Sequence, residues 1–263
     1  MAERPRDQSS TMLAQLEPAR LLVNLHAKYA TRLARDSTDV HAAQALRFAV
    51  FNVELNEGLA ESLATGLDAD PFDEVCDHLL VEHVPSGEDV GTYRLQTGLT
   101  AAGRRGYYSE QEFDFRPFEP IRAQLIELGR ACVHQQHRNL IVLGQLWKGI
   151  ADYARERGGR YLCGCSSITS QDPSVGASAY ADLCRRYLVE APWRTKPLPA
   201  FDCPLDHLDE EPPKIPKLLR AYLSIGAKIC GPPALDRQFK TIDFLTLLDL
   251  RAMPVPVRAR FLS

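Results

Sequence analysis

A strand-like segment that runs directly into a long amphipathic helix constrains the fold of this chain most strongly. Residues 124–133 have the apolar content of a strand, and a helix pattern follows over Leu140–Arg157. Apolar residues in the helix step by three and four positions and form one core-facing stripe: Leu140, Leu143, Trp147, Ile150 and Ala154. Gly158-Gly159 ends the pattern. A strand coupled to a helix that packs on a core predicts a sheet flanked by helices.

The remaining patterns interleave strands and helices along the chain. The predicted strands are 27–35, Cys76–Val84, Val90–Leu99, Arg160–Cys165 and Ile242–Leu250; the predicted helices are Ala43–Glu54, 174–188 and about 215–224. Turn residues between Val84 and Val90 predict a hairpin. This order favours a single α/β domain over 16–263 with a mixed sheet. Residues 1–15 are predicted to be a disordered tail, 56–73 a long loop, and the proline-rich stretch 191–216 an extended surface connection.

Composition excludes several classes of protein. The net charge of -3 on 263 residues argues against general nucleic-acid binding. No run of about 18 apolar residues is present, so the sequence predicts no membrane span, although peripheral membrane contact stays open. The polar first ten residues exclude a secretory signal in the chain as given. Seven cysteines, mostly in apolar segments, indicate reduced thiols and a cytoplasmic location. Cys163 and Cys165 have no second pair at zinc spacing, so no metal site is predicted.

The junction between strand 124–133 and the long helix is a candidate phosphate site. The first N–H groups of a helix lack internal partners and carry a partial positive charge, which favours an anion. Val133, His134, Arg138 and Asn139 stand at this junction and are predicted to bind the phosphate of a donor. The alternative is a helix that begins after an arginine without any ligand, with His134 solvated or capping.

The spacing Val133-x-x-x-x-Arg138 resembles the acyl-donor motif of the GNAT acyltransferases. In that family the arginine is normally followed by glycines whose backbone amides wrap a pyrophosphate. Here Asn139 to Gly144 lacks those glycines, which makes close approach to a diphosphate harder. The departure favours a donor with a single phosphate, the phosphopantetheine arm of an acyl carrier protein, over coenzyme A.

An ordered set of motifs over roughly 27–250 resembles the N-acyltransferases that start ornithine-lipid synthesis. It comprises Arg47, Phe51 and Glu54; Asp73, Asp77 and His78; Gly91 and Arg94; Glu127, Arg130 and Val133; then Tyr222, Gly226, Gly231, Asp236, Phe239 and Asp243. The order is also similar to that of the acyl-homoserine lactone synthases. The resemblance implies a GNAT-type fold with a mixed, splayed sheet and no bound cofactor. It also implies transfer of a (3-hydroxy) fatty acyl group from acyl carrier protein to the α-amine of an amino acid, with ornithine favoured.

The chemistry assigns hypothetical roles within this set. An amine attacks a thioester only when it is neutral, so Glu127 is the candidate base, and Arg130 is the candidate donor to the oxyanion. Arg47 or Arg94 would bind the carboxylate of the amino acid, and Asp73 or Asp77 a second ammonium. The alternative is that these charges form a buried ion-pair network that only braces the sheet. Rival functions are transfer to glycine, tyrosine or a homoserine derivative, a non-catalytic module that binds an acyl carrier or lipid, and a coenzyme A-dependent acetyltransferase.

Two geometric expectations follow. Glu127 and Arg130 are three residues apart, so a regular strand would point them to opposite faces of the sheet. A β-bulge between Leu128 and Ala131, made possible by Gly129, would bring both to one cleft. The acyl chain also needs an apolar channel, which Trp147 or Phe244 is predicted to line.

Overall fold

The computed structural model describes residues 28–209 and 214–261 of the chain. The predicted tail, 1–15, lies outside the described residues. The strands are β1 (Tyr29–Leu33), β2 (Asp77–His83), β3 (Glu88–Thr97), β4 (Leu125–Val133), β5 (Tyr161–Ile168), β6 (Lys228–Ile229), β7 (Ala234–Asp236) and β8 (Thr241–Asp249). The α-helices are α1 (Ser37–Phe48), α2 (Ser62–Thr65), α3 (Gly98–Gly103), α4 (Leu140–Glu156), α5 (Pro173–Tyr187), α6 (Lys217–Ser224) and α7 (Val255–Phe261).

All eight strands form one mixed sheet in the order β1-β2-β3-β4-β5-β8-β6, with β7 also paired to β8. Neighbouring strands are antiparallel except β4 and β5, which pair in parallel over Leu125–Glu127 and Tyr161–Cys163. Beyond those three residue pairs the two strands separate, and the sheet splays open at its centre. The prediction of a mixed, splayed sheet flanked by helices is confirmed.

Each face of the sheet is covered by its own apolar cluster. Helix α4 buries Val142, Leu146 and Ile150 against strand residues that include Leu79 and Ile126. Opposite it, aromatic residues from the segment after α3 pack on the other face: Phe113, Phe115 and Phe118, with Leu125 and Leu245. Each such side chain contributes roughly 1.5–3 kcal/mol when fully buried. The two clusters therefore cover opposite faces of the sheet.

The N-terminal helix begins earlier than the sequence pattern predicts. Asp36, predicted with Ser37 and Thr38 to close the first strand, instead caps α1, and its side chain accepts hydrogen bonds from the N–H groups of Thr38 and Asp39. The helix therefore starts at Ser37 rather than Ala43. After Phe48 the chain continues as a π-helix over Ala49–Glu54. The predicted loop 56–73 also contains the short helix α2. Strands β6 and β7 were too short for their pattern to be recognised.

Candidate active site

A cavity of about 360 Å³ occupies the opening between β4 and β5. The separated parts of both strands line it, Leu128–Ala131 on one side and Gly164–Ser167 on the other. Because side chains alternate across a sheet, the cavity crosses from one face to the other. On the α4 face its walls are apolar: Leu128, Trp147, Leu162, Leu219, Tyr222, Ala227 and Leu248. On the opposite face they are polar: Arg94, Gln96, Ser109, Glu112, Glu127, Cys165 and Asp243. The cavity thus has an apolar half and a polar half, which meet within the sheet.

The predicted bulge in β4 is present. Thr92 pairs with Cys132 and Arg94 pairs with Gly129, so Tyr93 alone faces two residues, Arg130 and Ala131. Within the bulge, the residue with a positive φ is Arg130, at 50°, and not the neighbouring Gly129. A left-handed conformation in a non-glycine residue costs about 1–3 kcal/mol and requires strong local restraint. Two aspartates bind the Arg130 guanidinium, and its Cζ stacks 4.7 Å from the centre of the Tyr108 ring and 4.3 Å from that of Phe239.

Beneath the bulge, three arginines and three aspartates alternate in a closed ring. Its six ion-pair contacts, in order around the ring, are Asp68–Arg47 (3.0 Å), Arg47–Asp73 (2.5 Å), Asp73–Arg94 (2.9 Å), Arg94–Asp70 (2.6 Å), Asp70–Arg130 (2.9 Å) and Arg130–Asp68 (3.2 Å). No side chain in the ring is more than 10% exposed. The guanidinium groups of Arg47 and Arg94 hold the pKa of Asp73 below its usual range, against the effect of burial. The ring is electrically neutral and ties the segment before β2 to α1, β3 and β4.

Several residues predicted to bind the substrate lie away from the cavity. Arg47 and Asp73 do not line the cavity, and both are held by ring partners. Asp77 also lies outside the cavity, where its carboxylate accepts a hydrogen bond of 2.7 Å from the Tyr153 hydroxyl. Arg94 and Arg130 are in the ring and also border the cavity. The positions of Arg47 and Asp73 fit the alternative of a bracing network, and the structure does not bring Asp77 to the other predicted residues.

Glu127 is the last residue of β4 that pairs with β5; it lies opposite Gln96 of β3 and lines the polar half of the cavity. Its two carboxylate oxygens accept hydrogen bonds of 2.8 Å from the backbone N–H groups of Tyr108 and Ser109. Burial raises the pKa of Glu127, while these hydrogen bonds oppose the rise. Glu127 and Arg130 thus reach the same cavity, as we predicted. Each oxygen of Glu127 keeps a further acceptor position, because a carboxylate offers about four in total.

The four residues of the predicted phosphate site lie together at the start of α4, but their side chains have protein partners. Arg138 makes a two-pronged ion pair with Glu54 and donates from Nε to the Val133 carbonyl (3.0 Å). Asn139 caps α4 and accepts from the N–H groups of Ile141 and Val142. His134 accepts from the N–H of Gln136, which fits the capping alternative. The phosphate role of these residues stays a prediction.

A cluster of three buried carboxylates at the polar end of the cavity was not assigned by the sequence analysis. Glu112, Asp236 and Asp243 each offer an oxygen within 4.8 Å of the others, and none is more than 4% exposed. We refer to them as the acidic cluster. Among the described residues these are the side chains grouped closely enough to hold a cation. Asp236 and Asp243 belong to the set of motifs that resembles the ornithine-lipid N-acyltransferases. That resemblance was the signal available in the sequence, but it assigned no role to either residue.

Of the two residues predicted to line an acyl channel, one borders the cavity, and its role in binding an acyl chain stays a prediction. Trp147 lines the apolar half, with its ring edge-on to that of Tyr222 at 5.7 Å between centres. Phe244 does not line the cavity and is fully buried in a separate cluster beside Leu183 and Ile242. Its strand, β8, borders the apolar half of the cavity through Leu248 instead.

Comparison with known proteins relates this chain to acyltransferases. Residues 46–148 match the family described as acetyltransferase (GNAT) domain. The chain is 32% identical over 238 residues to the L-ornithine N(alpha)-acyltransferase of Agrobacterium fabrum, covering 85% of this chain and 81% of that protein. Identity to the L-ornithine N(alpha)-acyltransferase of Rhodobacter capsulatus is 33%, covering 86% and 91%. Among solved structures, FeeM, an N-acyl amino acid synthase from uncultured soil microbes, superposes with a TM-score of 0.50 at 14% identity, covering 85% and 91%.

Proposed function

Because the chain belongs to the family of L-ornithine N(alpha)-acyltransferases, we propose that it transfers a fatty acyl group from acyl carrier protein to the α-amine of L-ornithine. The product, an N-acyl ornithine, would be the first intermediate of ornithine-lipid synthesis. The observation that carries this proposal is the two-sided cavity in the splayed sheet. A charged amino acid can enter the polar half and a fatty acyl chain the apolar half. Their reacting atoms would meet between β4 and β5.

The reaction requires an amine without its proton and a stabilised oxyanion. The amine nitrogen attacks the thioester carbon, the C–N bond forms, the C–S bond breaks, and the carrier thiol leaves with a proton. We propose Glu127 as the base that takes the ammonium proton, directly or through a water. Backbone N–H groups of β4 beyond Leu128, where pairing with β5 has ended, are suited to bind the oxyanion. Arg130 is engaged by Asp68 and Asp70, so its proposed part is to hold the bulge that presents this backbone.

Two features favour acyl carrier protein over coenzyme A as the donor. The segment after Arg138 lacks the glycines that would let its backbone approach a diphosphate. In addition, the Asn139 side chain occupies two of the N–H groups at the start of α4. A single phosphate next to Arg138 needs fewer free backbone N–H groups at this helix end than a diphosphate does. A cytoplasmic location with peripheral membrane contact stays a prediction; no described helix is long and apolar enough to cross a bilayer.

The direct test compares donors with L-ornithine as acceptor. The purified protein is given a 3-hydroxyacyl thioester of acyl carrier protein or of coenzyme A at matched concentrations, and the amide is quantified by mass spectrometry. We expect amide from the carrier thioester at a kcat/KM well above that from coenzyme A. Equal turnover of the two donors would refute the carrier preference. Absence of amide from both donors would refute the acyltransferase function.

A further inference from the structure

The acidic cluster is a buried concentration of negative charge without a paired cation. Glu112, Asp236 and Asp243 come from the segment after α3, from the end of β7 and from β8. Among the described residues, none of the three carboxylates takes part in an ion pair, whereas nearby Asp68 and Asp70 each pair with arginines. Burying an uncompensated carboxylate costs several kcal/mol, so a cluster of three calls for a cationic ligand or for protonation.

The hydrogen bonds of the cluster leave acceptors free toward the cavity. Asp236 Oδ1 accepts the N–H groups of Gln238 and Phe239, Asp243 Oδ2 accepts the Thr241 hydroxyl, and Glu112 Oε2 accepts the Cys165 thiol at 3.7 Å. Asp243 Oδ1 has no hydrogen-bond donor, although the residue is only 3% exposed and lines the cavity. Burial raises the pKa of Asp243 to about 6, and burial together with the charge of Asp243 raises that of Glu112. The ligand-free cluster is therefore prone to retain a proton.

Other unsatisfied polar atoms line the same cavity and complement an amino acid. Gln96 is 2% exposed, and neither atom of its amide has a partner. Arg94 Nη2, also buried at the cavity edge, has none either. Arg94 and Gln96 thus offer spare N–H donors, which suit a carboxylate, while the acidic cluster offers spare acceptors. Buried polar atoms in folded proteins are rarely left unpaired, so this set indicates a polar ligand with both charges.

We propose that the acidic cluster binds the side-chain ammonium of the acceptor, and so selects a diamino acid over acceptors with an uncharged side chain. An ammonium group donates three hydrogen bonds, and bonds of ordinary length at tetrahedral angles place its acceptors about 4.6 Å apart. The oxygens of the cluster lie within 4.8 Å of one another, which fits this arrangement. The inference rests on the proposed function and adds the residues that determine its acceptor.

The test uses L-ornithine and L-norvaline, which has the same carbon chain without the terminal amine. With acyl-carrier thioester as donor, we expect wild-type protein to prefer ornithine by about 100-fold or more in kcat/KM. In Asp243→Asn this preference should collapse through loss of ornithine turnover, with norvaline turnover little changed. Glu112→Gln is the second variant. Asp249→Asn, the same substitution on β8 but outside the cavity, is the matched control and should keep the preference. Thermal melting checks that each variant is folded.

Calorimetry separates the failure of this inference from that of the proposed function. Without donor, wild-type protein should bind ornithine and not norvaline, and Asp243→Asn should lose ornithine binding. If amide forms but ornithine and norvaline react equally, or if Asp243→Asn and Glu112→Gln both keep the preference, the cluster is not the ammonium site and the acyltransferase function stands. If Mg²⁺ or Ca²⁺ binds wild-type protein but not Asp243→Asn, and EDTA abolishes turnover, the cluster is a metal site and the inference is overturned.

Discussion

Single residues in this protein carry buried charge in two different ways. In the ring, each of Arg47, Arg94 and Arg130 contacts two aspartates, so every charge is compensated. In the acidic cluster, three carboxylates share a small volume without an ion-pair partner among the described residues. The ring holds the segment before β2 in place, whereas the carboxylates of the cluster have no such partners among the described residues. Removing one charge should therefore lower the free energy of unfolding in the ring and raise it in the acidic cluster.

Replacing one arginine of the ring should destabilise the fold strongly. In Arg47→Met, Asp68 and Asp73 lose a buried partner each, and the free energy of unfolding should fall by roughly 3–5 kcal/mol. Arg116→Met, which removes an exposed ion pair with Asp114, is the control and should change stability little. Urea unfolding of both variants provides the measurement. A similarly small loss of unfolding free energy in both variants would show that the ring does not brace the fold.

Removing a charge from the acidic cluster should instead stabilise the ligand-free protein. Above about pH 6 folded Asp243 is ionised next to Glu112, Asp236 and Cys165, whereas in the unfolded chain its charge is hydrated. Within the fold, the charge of Arg130 acts on Glu112. Because its folded pKa is raised, the penalty grows as pH rises from about 4 through 6.

Asp243→Asn should therefore exceed wild type in unfolding free energy by on the order of 2 kcal/mol at pH 8, and the gap should close near pH 4. Urea unfolding at both pH values measures this gap. A variant less stable than wild type at pH 8 would contradict the account.

At the scale of secondary-structure elements, the separation of β4 and β5 creates the site. Gly164 stands just past the last paired residues, and a Cβ there would overlap the Leu128 carbonyl oxygen. The strands therefore part from a position of close backbone contact. The bulge in β4 then re-aims Arg130 toward the ring and changes the direction of the backbone that faces the cavity.

Gly164→Ala should displace β4 from β5, because the added methyl group meets backbone atoms that cannot rotate away. We expect a loss of about 1–3 kcal/mol in stability and a lower kcat. Gly144→Ala in α4, where a Cβ has no neighbour within 4 Å, is the control and should be neutral or stabilising. Thermal unfolding and steady-state kinetics measure both effects. Unchanged kcat and stability in Gly164→Ala would refute the close contact.

Sequence reasoning succeeded where local pattern decides structure and missed what distant segments build together. Strand β4 and helix α4 were predicted because their apolar periodicity is strong. The bulge followed from the period of two along a strand, but the positive φ of Arg130 did not, because ring partners and aromatic stacking impose it. Glu112 and Asp243 are brought together by sheet pairing and loop packing, which no local pattern encodes. For the same reason Asp68 and Asp70 of the ring were not recognised.

At the scale of the whole molecule, the sheet works as a partition with one opening. Helix α4 and its apolar cluster lie on one side, and the ring, Glu127 and the acidic cluster lie on the other. A thioester held in the opening can place its fatty chain in the first compartment and its carbonyl within reach of an amine in the second. This arrangement predicts that acyl-chain selection and acceptor selection depend on separate residues.

Trp147→Ala should therefore shift acyl-chain preference toward longer chains without changing the preference for ornithine over norvaline. The removed ring enlarges the apolar half of the cavity. Phe244→Ala, which truncates a core residue away from the cavity, should lower stability and leave chain preference unchanged. Competition among carrier thioesters of different lengths provides the measurement. A variant Trp147→Ala that is merely less stable would place Trp147 in the ordinary core.

The regiochemistry of the product tests the central claim most directly. The wild-type protein is incubated with acyl-carrier thioester and an equimolar pool of the common amino acids plus ornithine, and each amide is fragmented in the mass spectrometer. The account predicts ornithine acylated on its α-nitrogen as the main product, because the side-chain nitrogen is held away from the thioester. Acylation of the side-chain nitrogen, or a main product from glycine, tyrosine or another monoamino acid, would contradict it.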